Sequence, residues 1–192
     1  CLSLSNNIAE KKFKLLITFG GFDENNLITL FLKTLLQYPQ KIKVKVILGP
    51  GSTLSQMNYL KHKFNSLLIG TACNSLGDTV NLIRYSLDQG YDGAFLVMNP
   101  AYYHPEDLGV YNFFSNIQKA VSCKIVLYNF SKLGAGYAFS PEIVQKLVDE
   151  FGTNSFIGMK DSSGNCWDKL KINNFSMLVG NEINLLKNLE YG

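Results

Sequence analysis

Arginine is nearly missing: Arg84 is the only one in 192 residues. That excludes any site clamping phosphate or carboxylate between several guanidinium forks and leaves anion binding to lysines, hydroxyls or backbone amides. The two histidines, His62 and His104, have no companions at metal-ligand spacing, so no metal site is expected. Four cysteines, Cys1, Cys73, Cys123 and Cys166, form no CxxC pair, which argues against zinc or a disulfide framework and for a reducing, cytoplasmic setting. No apolar run reaches the roughly 20 residues of a spanning helix, and nothing reads as a signal peptide. The net charge of +3 is dispersed rather than gathered in a block, so neither nucleic acid nor a membrane is an expected partner.

What is there is the composition of a folded domain, 46% hydrophobic and 17% charged, at a length that suits one full domain or two pieces of larger ones. The first residue is cysteine rather than methionine and the chain stops soon after a helical pattern, which reads as a fragment at both ends. Strand-like and helix-like stretches alternate throughout. "KFKLLITFGG", "KIKVKVILGPG", "NSLLIGT", "GAFLVMNP", "CKIVLYNF", "SFIGMKD" and "FSMLVG" read as strands. Between them lie helical periods such as "NNLITLFLKTLLQYP", "STLSQMNYLKHKF", "DTVNLIRYSLDQG" and "EDLGVYNFFSNIQKAV". In "SPEIVQKLVDEFG", Ser140 suits an N-cap, Pro141 the first turn and Gly152 the stop. Such alternation predicts an α/β fold with parallel pairing through right-handed crossovers, but periodicity alone does not decide between a barrel and an open sheet.

Polar residues collect at the strand C-terminal ends, where both architectures place their sites. In "FIGMKDSSGN", Lys160 closes an apolar run. A lysine in a desolvated pocket loses its proton more easily and becomes an amine nucleophile able to form a Schiff base with a ketone. The plainer reading is a stem lying along the core with a head that reaches solvent or pairs with Asp161. Tyr128 and Asn129 end another strand, and Tyr102 and Tyr103 follow a third. Tyrosines there could pass protons to and from a carbinolamine, or could simply pack.

From about Leu68 onward the motifs "IGTACNS", "GYDGAFLVMNPAYYHPEDLGVYNFF", "KIVLYNF", "SPEIVQKLVDEF", "FIGMKDSSGN" and "FSMLVGNE" stand in an order that resembles one family. It is that of dihydrodipicolinate synthase and N-acetylneuraminate lyase, class I aldolases built as (βα)8 barrels. The resemblance implies that Lys160 forms the Schiff base with pyruvate and that Tyr128 relays protons and contacts the pyruvate carboxylate. Tyr103, second of the pair after the fourth barrel strand, joins that relay across a subunit interface or supports it. Tyr102 and Gly180 fall with the substrate-binding positions. No cofactor is implied; the implied partner is a small molecule, pyruvate or another 2-oxo acid. The family commonly forms tetramers, which leaves a homo-oligomer open here.

The pattern also departs from the family. Where it presents Gly-Thr-Thr-Gly-Glu after its second strand, this chain reads "LGPGSTLS", so Ser52 and Thr53 are the candidates for holding the substrate carboxylate. Gly70 and Thr71 belong to the third strand and do not replace that motif. After Tyr128 the family has a proline and, in the synthases, an arginine for the second substrate; here "FSKLGAG" offers Lys132 and Leu133, and second-substrate preference stays open. The chain also ends before a last barrel strand.

Up to about Asn65, "KLLITFGGFDENNLITLFLKTL" and "IKVKVILGPGS" are similar instead to the C-terminal GT-B-type domain of the UDP-sugar hydrolase of pseudaminic acid synthesis. There a Gly-Gly turn before a helix lies near the diphosphate; here Gly20 and Gly21 could equally form a plain strand-to-helix turn. The expected organisation is two Rossmann-like βα units over 1–67 and a partial (βα)8 TIM barrel over 68–192. The expected function is a pyruvate-dependent lyase or aldolase, active or an inactive remnant, with a nucleotide-sugar-binding module as the alternative.

Overall fold

The computed structural model describes residues 14–18, 30, 33–34, 37, 43–48, 67–71, 73–164, 166 and 168–184. The chain divides into two compact units, 1–67 and 68–192. In the first, strands β1 (Lys14–Thr18) and β2 (Lys43–Leu48) run parallel, with Lys14 opposite Lys43 and Thr18 opposite Ile47. Leu30, Lys33 and Thr34 between them are helical. The helix expected from "STLSQMNYLKHKF" lies outside the described residues.

The second unit runs β3 (Leu67–Thr71), α1 (Leu76–Asp88), β4 (Ala94–Met98), α2 (Asp107–Ala120), β5 (Lys124–Asn129), α3 (Pro141–Phe151), β6 (Phe156–Asp161) and β7 (Ser176–Val179). Its five strands pair in sequence order, all parallel. That is the arrangement expected where crossover helices pack back on the sheet, as α1, α2 and α3 do; between β6 and β7 the described residues hold no helix. A 3-10 turn over Glu182–Asn184 follows β7.

Local chemistry sets the helix bounds. Ser75 caps α1, its Oγ accepting from the Asp78 amide at 3.0 Å, and Gly90 beyond the other end takes φ 78°, where a side chain would be strained. Ser140 caps α3 in the same way through the Ile143 amide at 3.3 Å, Pro141 opens the first turn, and Gly152 ends it at φ 80°.

Central strands β4, β5 and β6 are buried along most of their length, as parallel strands covered on both faces must be. Phe114 of α2 is fully buried, with ring centroids 5.6 Å from Phe139 and 6.3 Å from Phe156. It thereby ties α2 to β6, and removing such a ring costs about 3–5 kcal/mol.

One irregularity matters for the site. Along β5 and β6, Ile125 faces Phe156 but Val126 faces Gly158, so Ile157 is an extra residue in β6. An insertion of this kind is a β-bulge, which shifts every later pair by one position.

Candidate active site

Because of that bulge, Tyr128 lies opposite Lys160 and Asn129 opposite Asp161; without it Tyr128 would face Met159. Successive strand residues point to opposite faces, so the bulge sorts four side chains into two pairs. On one face the Lys160 Nζ sits over the Tyr128 ring, 4.3 Å from its centroid. On the other, Asn129 Nδ2 donates to Asp161 Oδ1 at 2.9 Å. Lys160 is only 7% exposed, so most of its length is shielded from water. A cation over an aromatic face is attracted by the ring quadrupole, more strongly when desolvated.

From the sequence Asp161 enters only as a pairing partner for Lys160. The structure gives it another role. Its Oδ1 accepts from Asn129 Nδ2 and from the amides of Ser163 at 3.0 Å and Gly164 at 2.9 Å, and its Oδ2 from the Cys166 amide at 3.0 Å. Four donors thus converge on a carboxylate only 3% exposed, which is how a buried charge is accommodated. Asn129 in turn accepts from the Phe139 amide at 3.1 Å. Backbone bonds extend the network: the Ser162 amide donates to the Asn129 carbonyl at 2.8 Å, and the Gly180 amide to the Asp161 carbonyl at 2.9 Å.

Cys166 sits under this network, with no exposure, its thiol donating to the Phe139 carbonyl at 3.0 Å. Burial first, and then the nearby Asp161 carboxylate, push that thiol up to about 12, so it packs and does not act as a nucleophile. The loop after β5 is fastened as well. Asn99 Nδ2 donates to the Gly134 carbonyl at 3.1 Å, His104 Nδ1 to the Ala135 carbonyl at 2.7 Å, and the Ser131 amide to Ser163 Oγ at 2.8 Å.

The other expected residues are placed differently. Tyr102 and Tyr103 follow β4 and lie edge to face, centroids 4.9 Å apart, but are 76% and 73% exposed. Both rings lie at the surface of this chain. Gly180 closes β7 with its amide on Asp161, and an added Cβ would fall 1.9 Å from Ser162 Oγ and 3.0 Å from Ser162 Cα. Close approach therefore explains glycine there. Lys132 and Leu133 are exposed on the loop after β5. Thr71 ends β3 with its hydroxyl buried and unpartnered among the described residues. Ser52, Thr53, Gly20 and Gly21 lie outside the described residues, as does the carboxylate-binding role expected of the first two.

The arrangement offers the amine of one largely buried lysine, one tyrosine against it and a rigid polar frame behind them. Comparison with known proteins bears on the family and the fold. The sequence model of the Dihydrodipicolinate synthetase family matches residues 57–192. The 4-hydroxy-tetrahydrodipicolinate synthase of Methanopyrus kandleri is 36% identical over 98 residues, 51% of this chain and 31% of that protein. A 2-keto 3-deoxygluconate aldolase from Picrophilus torridus has the same fold, with a TM-score of 0.74 at 20% identity over 95% of this chain and 71% of its own. YagE from Escherichia coli K12, a prophage protein of the dihydrodipicolinic acid synthase family solved in complex with pyruvate, gives 0.73 at 19% identity over 96% of this chain and 68% of its own. The fold is thus that of these α/β barrels, of which the chain forms part. It spans about a third of the length of the curated relatives it matches. The nucleotide-sugar resemblance of the first unit gains no support from these matches.

Proposed function

The chain belongs to the dihydrodipicolinate synthetase family, and from that premise we propose that it is a pyruvate-binding lyase or aldolase working through a Schiff base on Lys160. The observation that carries this reading is the Nζ of the largely buried Lys160, 4.3 Å from the Tyr128 ring centroid at paired positions of adjacent strands.

In the proposed sequence the free amine of Lys160 attacks C2 of pyruvate and the ketone oxygen takes up a proton, giving a carbinolamine. Loss of water leaves the imine. Tyr128 is the group placed to donate and recover those protons. Removal of a proton from C3 turns the imine into an enamine, whose C3 attacks an aldehyde carbonyl; hydrolysis returns the lysine and releases product. Run backwards, the same steps cleave the bond, so lyase and synthase share one constellation. Tyr103 is proposed as a further member or support of the relay, acting across an interface between copies, which suits its exposure. Tyr102, Ser52, Thr53 and Gly180 are proposed to bind substrate. The setting is proposed to be cytoplasmic.

Borohydride reduction in the presence of pyruvate tests the reading. Peptide mass spectrometry should find the reduced adduct on Lys160, and none after Lys160→Arg. A folded sample that yields no adduct would sink the proposed activity.

A further inference from the structure

Chemistry at a lysine and a tyrosine depends on holding both within a fraction of an ångström, and neither side chain does this for itself. Each is followed directly by a residue of the buried polar network: Asn129 after Tyr128, Asp161 after Lys160. These two face each other across the strands and meet at 2.9 Å. Asp161 also gathers the amides of Ser163, Gly164 and Cys166, while its own carbonyl takes the Gly180 amide at the end of β7. Asn129 also anchors the Phe139 amide, at the far end of the loop that follows β5. The carboxylate therefore joins the ends of β5 and β6 to the loop after β6, on the face of the sheet opposite the reacting groups, while the Asp161 carbonyl holds the end of β7 and Asn129 the loop after β5.

We infer that Asp161 is a positioning residue for the Lys160–Tyr128 pair, fixing their separation through Asn129 and through the backbone that follows Lys160. The inference rests on the Schiff-base reading for its catalytic consequence, but its geometric content is independent of it. A carboxylate suits the place because it only accepts, and the four groups described as facing it are all donors. An amide there would turn its own N–H groups toward at least one of those donors. The loop after Lys160 would then shift, and the pair with it. A displacement of about 1 Å at a reacting centre costs on the order of 100-fold in rate.

The experiment compares the full-length chain with Asp161→Asn, which keeps shape and volume, and with Gly164→Ala. The second variant is milder. It strains a residue at φ 76° whose amide binds Asp161, and its new Cβ meets only the end of the Asn184 side chain at 3.0 Å. Two readouts are taken well below the melting transition. The first is the pyruvate-concentration dependence of adduct formation, which separates maximal rate from half-saturation. The second is the NMR shift of the Lys160 Cε protons, displaced by the ring current of Tyr128 whether or not pyruvate reacts.

For Asp161→Asn the maximal rate should fall about 10- to 100-fold with half-saturation changed far less, and the ring-current shift should shrink. Gly164→Ala should move both in the same direction by a smaller factor. A folded Asp161→Asn that keeps the wild-type maximal rate and shift overturns the inference. If Asp161→Asn does not fold, Gly164→Ala decides, and unchanged rate and shift there overturn it. If the wild type forms no adduct, the Schiff-base reading fails by itself. The positioning role then stands or falls on whether the Lys160 shift responds.

Discussion

Replacing Lys160 by methionine should stabilise the protein while ending its chemistry. The lysine is 7% exposed and its Nζ rests against the Tyr128 ring. Among the described residues no carboxylate lies within ion-pair distance of that nitrogen, since the Asp161 side chain points to the other face and is held by four donors. Shielding an ammonium from most of its water costs up to several kcal/mol in a real protein after relaxation. The ring face returns about 2 kcal/mol. Methionine keeps nearly the same stem, fills the same space and adds a sulfur–aromatic contact of about 0.3–1.5 kcal/mol. The balance favours Lys160→Met by about 1–3 kcal/mol, a melting rise of roughly 2–10 °C for a chain of this size. Thermal and urea unfolding of the two proteins measure it, with borohydride trapping alongside. A variant less stable than the wild type by 1 kcal/mol or more would refute the reasoning, because the ammonium would then be a structural group. A pyruvate adduct surviving in Lys160→Met would refute the nucleophile.

Three other outcomes follow from the geometry. Tyr128→Phe keeps the ring face under Lys160 but removes the hydroxyl; adduct formation in stopped reductions should slow by about 100-fold or more with little change in melting temperature. Gly158→Ala would drive a Cβ to 2.3 Å from the Ser176 carbonyl oxygen, backbone that cannot swing aside, so β6 and β7 must separate locally at about 1–3 kcal/mol, readable by urea titration and by faster amide exchange in β7. Two thiols, half-buried Cys123 and buried Cys166, set an alkaline limit: desolvation raises Cys123 to about 11, and desolvation with Asp161 raises Cys166 to about 12, against 9.0 unperturbed. The folded state binds more protons than the unfolded state above pH 9, so their contribution is intact below that and declines as pH rises to about 11 and 12. Unfolding titrations of Cys166→Ala should show a shallower fall over that window than the wild type.

The alternating elements were legible because they rest on local signals. Ser140, Pro141 and Gly152 bound α3 as expected, and the "KIVLYNF" and "FIGMKD" strands lie where apolar runs meet polar ends. Lys160 and Tyr128 were legible as strand-end residues, and the structure brings them together. Tyr102 and Tyr103 read like them in the sequence, yet they lie on a turn whose exposure depends on what packs beside it, which no local pattern encodes. Asp161 was obscured for another reason. Its partners described above include three backbone amides, invisible in any list of side chains, and Asn129, which reaches it only through the register that the extra residue in β6 imposes. The one written hint is the repeated form of the two strand ends, Tyr-Asn and Lys-Asp.

That extra residue also bears on redesign. An engineer idealising this sheet would keep Ile157 and draw it into even pairing opposite Val126, and the backbone would become more regular for it. The regularised strand would present Met159 to Tyr128 and turn the amine toward the face that Asp161 now occupies. Stability screens could score such a protein as an improvement. In this fold the irregular strand carries the information about which residues meet, and a search that rewards only regular geometry would erase it first.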